Sequence, residues 1–274
     1  MRTFRLNDRP YQVPETWAEL TPEQFFAAAP HLAEESLAAR LRVLKAWCPK
    51  VPRKMWRGLT DDQLWDVATL TAWAWRKELD TQGVSEFTHR GTTYQLPEPR
   101  LLDAVVVEYA MATVYFHQFA HPQKPRPAAL DQLVASLCRP LRENLAEWER
   151  NPLWDGQRRE RYNAKLAEAR ALELADAPLG VKIVVLHHYL AAHRFVHQAY
   201  HELFKKVVVP EQPAHAKPAK PLSDGTELLE LLADVAERGT YGTYEQVAHT
   251  SLHTIFFNLA RQARRRRAAE KEEQ

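Results

Sequence analysis

A chain of 274 residues with 45% hydrophobic and 26% charged side chains can bury one large core or two modest ones. Its net charge of +2 supplies no global field for nucleic acid or membrane, and two cysteines outside any CxxC context argue against a disulfide framework or a cysteine-based zinc site. Eight glycines against twenty-seven aromatic residues (eight Trp, nine Tyr, ten Phe) favour helices over architectures that need many tight turns.

The chain opens on a stretch that it uses twice. Phe4, Tyr11, Gln12, Val13, Pro14 and Glu15 recur as Phe87, Tyr94, Gln95, Leu96, Pro97 and Glu98 at a constant offset of 83 residues. Each copy reads as a hairpin, with a polar turn (Asn7-Asp8, Arg90-Gly91) between two short runs and a proline closing the second strand. Because a lone hairpin is marginal in water, the two copies are expected to pair in one small antiparallel sheet. The N-terminus lacks a basic region followed by an apolar one, so no secretory signal is expected.

Between the hairpins, Thr21-Pro22-Glu23-Gln24 and Thr60-Asp61-Asp62-Gln63 are helix starts of capping-box type. Leu37, Leu41 and Leu44 mark one face of a helix ending near Trp47, and Leu64, Val67, Ala68, Thr71 and Trp75 share a stripe on the next. After the second hairpin, Val105, Tyr109, Ala112, Phe116 and Phe119 predict a helix over 101–121. Prolines 122, 125 and 127 mark a break. Helices are then predicted over 130–137, 141–150 and 157–174, the last with Arg158, Arg159, Glu160 and Arg161 on a solvated face.

The segment 178–206 is the longest helix candidate, interrupted by too many charges and histidines to span a membrane. Four prolines over 210–221 define a linker. A helix pair follows, with Leu228, Leu231, Leu232 and Val235, a Gly239–Gly242 turn, then Leu252, Ile255, Phe256 and Leu259; the charged end from Arg261 is expected to fray. The expected organisation is a hairpin-plus-helix subdomain (1–125), a helical subdomain (126–209), a linker (210–223) and a C-terminal helical unit (224–274). The fold class is mainly α.

Two constellations invite chemistry. His193, His197 and His201 recur at four-residue spacing on one helix, with His193 and His197 on its apolar stripe and His187 and His188 away from it. No carboxylate or cysteine pattern supplies further ligands, so no metal or other cofactor is expected, and a metal-dependent enzyme on these histidines is the alternative reading. Arg264, Arg265, Arg266 and Arg267 form a phosphate-binding candidate, but Glu270, Glu272 and Glu273 follow at once and no aromatic side chains are interleaved. That pattern weighs against nucleic acid as the main partner. Walker, GxGxxG and nucleophile-elbow patterns are missing.

Three stretches carry a resemblance. Tyr11 to Phe25, with Tyr-x-Val-Pro and Trp-x-Glu-Leu-Thr-x-Glu-Gln-Phe, the pair Arg139-Pro140, and Gly239 to Leu252, with Gly-Thr-Tyr-Gly-Thr-Tyr-Glu-Gln-Val, resemble proteins encoded among the tail and structural genes of tailed bacteriophages and prophages. The resemblance implies a non-enzymatic component similar to tail assembly chaperones. Its partners would be other phage structural or tail proteins, its place the bacterial cytoplasm or the virion. On this reading Tyr241, Tyr244, Leu252, Ile255, Phe256 and Leu259 form the partner contact, tethered by the proline-rich linker.

Overall fold

The computed structural model describes residues 1–81, 83–152, 154, 156–204 and 224–272. Its elements in chain order begin with β1 (Arg2–Leu6), β2 (Arg9–Val13), α1 (Pro22–Ala28), α2 (Leu37–Trp47), α3 (Arg53–Arg57), α4 (Asp61–Ala68), α5 (Trp73–Arg76), β3 (Glu86–His89) and β4 (Thr92–Gln95). They continue with α6 (Val106–Phe119), α7 (Ala128–Leu137), α8 (Leu145–Trp148), α9 (Ala164–Glu173), α10 (Leu179–Ala199), α11 (Glu227–Glu237), α12 (Tyr244–Ala248) and α13 (Leu252–Glu272). The fold is mainly α with two antiparallel hairpins, as the sequence predicts. The proline-rich stretch 210–223 lies outside the described residues.

The two hairpins match in register as well as in sequence. Phe4 stands opposite Tyr11 and Phe87 opposite Tyr94, with ring centroids 5.9 and 5.3 Å apart. Both turns have two residues at positive φ, Asn7 and Asp8 in the first and Arg90 and Gly91 in the second, the geometry whose twist suits flanking strands. The expectation of one shared sheet is overturned: β1–β2 and β3–β4 are separate two-stranded sheets. Leu6 and Val13 are the buried residues of the first hairpin and Phe87, Tyr94 and Leu96 those of the second, Val13 and Leu96 being equivalent positions. β2 also carries Pro10, which has no N–H to donate and suits an edge.

The chain divides into two compact units, each with its own core. The first comprises Met1–Leu96 with Asp176–His188, and the second Pro97–Ala175 with the described residues from Tyr189 onward. The stretch 97–125, which the sequence groups with the N-terminal elements, thus packs within the second unit.

In the first unit the Thr21 and Thr60 caps form as predicted, each with its glutamine bonded back to the cap N–H. Trp17, Trp47 and Trp73 cluster, with Trp47 stacked on Trp73 at 5.1 Å and Trp17 meeting Trp73 edge-on at 4.7 Å. Indole N–H groups of Trp17 and Trp73 donate to the carbonyls of Glu78 and Pro14. The first part of α10 belongs here, and its approach to α1 demands a glycine: a Cβ on Gly180 would stand 1.8 Å from the carbonyl oxygen of Phe26. His188, which helical projection leaves off the stripe, is buried, its Nδ1 3.2 Å from the Thr81 hydroxyl.

In the second unit α6 packs on α7, α7 on α9, and α11, α12 and α13 all pack on α6. The expected C-terminal helix pair is therefore three helices. Thr243 and Gln246 form a third capping box, and Gly242 precedes it at φ 86°, a left-handed backbone that favours glycine. Three sequence expectations are corrected. The helix expected over 141–150 is confined to α8, and the one expected over 157–174 begins only at Ala164, because Asn163 caps it and accepts from the N–H groups of Lys165 and Leu166. The charged end, expected to fray, is helical as far as Glu272.

Gly180→Ala forces backbone apart from backbone in the first unit. Its cost is expected at or above the upper end of the ~1–3 kcal/mol typical of overpacking, measured by urea denaturation. A Gly180→Ala variant as stable as the parent would contradict the close approach of α10 to α1.

Candidate functional site

The densest polar construction in the described residues is a buried charge cluster in the second unit. Glu108, in the first turn of α6, is fully buried, as are Arg139 and Arg159. Arg139 Nη2 donates to one carboxylate oxygen of Glu108 at 2.6 Å and Arg159 Nη2 to the other at 3.0 Å. Arg159 Nε reaches Asp103 Oδ2 at 3.0 Å, so two cations face two anions.

Backbone geometry places the two arginines side by side. Residues 140–142 and 158–160 run antiparallel, with Arg142 N–H donating to the Arg158 carbonyl at 2.8 Å and Glu160 N–H to the Pro140 carbonyl at 2.9 Å. Of the remaining guanidinium donors, Arg139 Nη1 goes to the Ser136 carbonyl at 3.0 Å and Arg159 Nη1 to the Leu137 carbonyl at 2.6 Å, both at the C-terminal end of α7, and Arg139 Nε goes to the Glu160 carbonyl at 2.7 Å. A carboxylate at a helix N-terminus and cations at a helix C-terminus each complement the local dipole. Each of these hydrogen bonds and dipole contacts is therefore attractive. Burial pushes the Glu108 carboxyl upward, and the Arg159 and Arg139 charges overcome that, leaving it below its ordinary value. Arg159 corrects the sequence expectation of a solvated face, whereas Arg158 and Arg161 on either side are exposed.

A second polar chain runs through the same unit. Tyr109 Oη and Tyr189 Oη lie 2.8 and 3.2 Å from His193 Nδ1, and Tyr189 donates to Thr113 Oγ1 at 3.0 Å. Burial, then the neighbouring His197 and His117, lowers the His193 pKa to about 4, so the ring is neutral at pH 7. His197 sits with its ring centroid 4.2 Å from His193 and 3.7 Å from Phe204, and His201 is exposed. The three histidines thus diverge in environment: one is bonded to tyrosines, one stacked between rings and one in solvent. Among the described residues no group of three or more His, Cys, Asp or Glu side chains is set to hold a metal.

The residues expected at a partner contact separate into two sets. Leu252, Ile255, Phe256 and Leu259 are core residues on the inward face of α13, Phe256 meeting Tyr109 edge-on at 5.9 Å. Tyr241 is half-buried and Tyr244 exposed. The outward face of α13 shows Phe257, 54% exposed, which the sequence reading did not single out. Of the arginine run, Arg264 donates to Glu202 Oε1 at 2.6 Å and Arg267 to the Glu202 carbonyl at 3.0 Å, while Arg265 and Arg266 are exposed. No helix among the described residues is long and apolar enough to cross a membrane.

Comparisons with protein-family models, curated proteins and solved structures find no match.

Two titrations link this unit to pH. His193 takes a proton near 6.5 when unfolded and near 4 when folded, so stability falls as pH drops between those values, by about 3 kcal/mol at most. Glu108 is protonated near its ordinary 4.5 when unfolded but lower when folded, so its contribution is present above that value and lost as pH falls through the folded one. Urea midpoints should decline from pH 7 to 4 and then further below 4.5. Glu108→Gln, beyond lowering the midpoint overall, should shrink the lower decline and leave the slope of the upper one. A midpoint flat from pH 7 to 4 would contradict the assignment of His193.

Proposed function

We propose that the chain is a non-enzymatic interaction protein of tailed-phage or prophage type, acting with structural or tail proteins during assembly of a tail-like particle. The observation that carries this reading is the run Gly239 to Leu252, with the Tyr11 to Phe25 motif, on which the resemblance to tail-region proteins rests. In support, two buried ionisable groups of the second unit are engaged in internal bonds: Glu108 to both arginines, and His193 to both tyrosines. Large uncharged side chains stand in solvent on the C-terminal helices, Tyr244 at 45% and Phe257 at 54% exposure. Exposed aromatic residues of this kind are suited to serve as anchors in a protein interface.

The contact face follows from the packing. Because Leu252, Ile255 and Phe256 are spent on the core, a partner meets the outward side, Tyr244 and Phe257. Removing the C-terminal helices would expose α6 and unfold the unit, so the informative change is on the surface.

The test is co-expression with the products of neighbouring tail genes. The parent chain should co-elute with a tail structural protein, and Tyr244→Ala with Phe257→Asp should weaken that complex by at least about tenfold, the effect of losing ~1.4 kcal/mol, with helicity and unfolding midpoint unchanged. No complex with any such product would overturn the reading. A complex indifferent to both substitutions would overturn the assignment of this face.

A further inference from the structure

The charges on the outward faces of two C-terminal helices are sorted by sign. On α11, Glu230, Asp234 and Glu237 are all exposed, and their spacing of four and then three residues puts them on one face. On α13, Arg261, Arg264 and Arg265 are exposed and share a face for the same reason, and from Leu252 to Ala269 this helix has five arginines and no acidic residue to neutralise them. The two faces adjoin. Both helices pack on α6, and Arg238 at the end of α11 donates to the Gln262 side-chain oxygen of α13 at 3.4 Å.

Helix stability does not favour this sorting. Like charges three or four residues apart repel one another, as Glu230 and Asp234 or Arg261 and Arg265 must. The exposed side of α9 is built the other way, with Lys165 three residues before Glu168 and Arg170 three before Glu173. Glu230 in the first turn of α11 suits the helix dipole, but Glu237 in the last turn opposes it. Arg264 is matched by Glu202. Among the described residues Arg261 and Arg265 have no ion-pair partner, and neither do Glu230, Asp234 and Glu237.

We propose that this double stripe binds a second copy of the chain about a two-fold axis, with the acidic face of α11 in each copy lying on the basic face of α13 in the other. A two-fold contact has to be complementary to itself. Adjoining stripes of opposite sign meet that condition, because the rotation that sets one copy's α11 on its neighbour's α13 sets the neighbour's α11 on the first copy's α13. Every pairing is made twice. Exposed ion pairs are individually weak, so the association is reversible and sensitive to salt, and the segregated charges steer the copies into register. Glu270, Glu272 and Glu273, which follow the arginines directly, disfavour a nucleic-acid backbone as the occupant. The pairing needs no tail protein, so it is measured on the chain alone.

Sedimentation equilibrium of the full chain is the test. At about 0.01 M NaCl the parent should form a dimer, and its dissociation constant should rise at least tenfold at about 1 M, as the Debye length shortens from about 30 to about 3 Å. Arg261→Glu with Arg265→Glu makes α13 acidic, and Glu230→Lys, Asp234→Lys and Glu237→Lys together make α11 basic. Each variant alone should dissociate at least tenfold more readily than the parent. Mixed in equal amounts, the two should form a heterodimer with the parent's affinity, since each now presents the faces that the other lacks. Circular dichroism and urea midpoints check that both variants are folded, and the salt comparison on the parent decides the matter even where one is not. A parent chain that stays monomeric at low salt would overturn the proposal, as would folded variants that dimerise like the parent or a mixture no more associated than its components. A monomer that instead binds a duplex oligonucleotide through Arg261 and Arg265 would also overturn it and assign the basic stripe to phosphate.

Discussion

One carboxylate held between two guanidiniums fixes the second unit. Glu108 has no access to solvent, and neither do Arg139 and Arg159. Desolvating three charges costs several kcal/mol for each, and only close, fully bonded geometry offsets it. That geometry in turn requires four parts of the chain to be in register: the start of α6, the end of α7, the turn around Asp103, and the antiparallel segments 139–142 and 158–160. The cluster therefore does not simply add stability to a finished fold. It selects one arrangement of these segments over those that would leave a charge unpaired.

The rest of the unit builds outward from α6. Tyr109, one residue along from Glu108, bonds to His193 and meets Phe256 of α13. Gly225 is at positive φ and so close to α6 that a Cβ would lie 3.0 Å from the Val114 Cα, which brings the start of the C-terminal helices against the same helix. The three C-terminal helices are thus structural members of this unit. Any recognition they perform uses their outward side. The first unit relies on different physics, an aromatic cluster of three tryptophans and the direct backbone approach of α10 to α1 at Gly180.

Local signals in the sequence were legible where one short stretch contains all the partners. Both hairpin turns, the Thr21 and Thr60 caps and most helix faces follow from residues within four or five positions of one another. Whether the two hairpins share a sheet was not legible, because each completes its own ladder from residues within a dozen positions and nothing local says what its edges meet. The charge cluster was missed for a related reason. Arg159 sits among Arg158, Glu160 and Arg161, which looks like a solvated helix face until the chain there is extended, and then alternate residues point opposite ways. A signal was present: Glu108 falls on the apolar stripe of Val105, Tyr109 and Ala112, and a carboxylate in that position demands a buried cation. The cap at Asn163 also announces where the helix starts. Burial of Leu252, Ile255 and Phe256 was legible as an apolar face but not as to what covers it.

The central claim is that Glu108 and Arg159 act as one unit and not as two separate contributions. A double-mutant cycle on urea unfolding, with Glu108→Gln, Arg159→Met and both together, measures this directly. The account predicts that each single change costs ~3–5 kcal/mol by stranding a buried charge, and that the double costs less than their sum by about 2 kcal/mol or more. Additivity to within about 0.5 kcal/mol, the behaviour of independent sites, would contradict it.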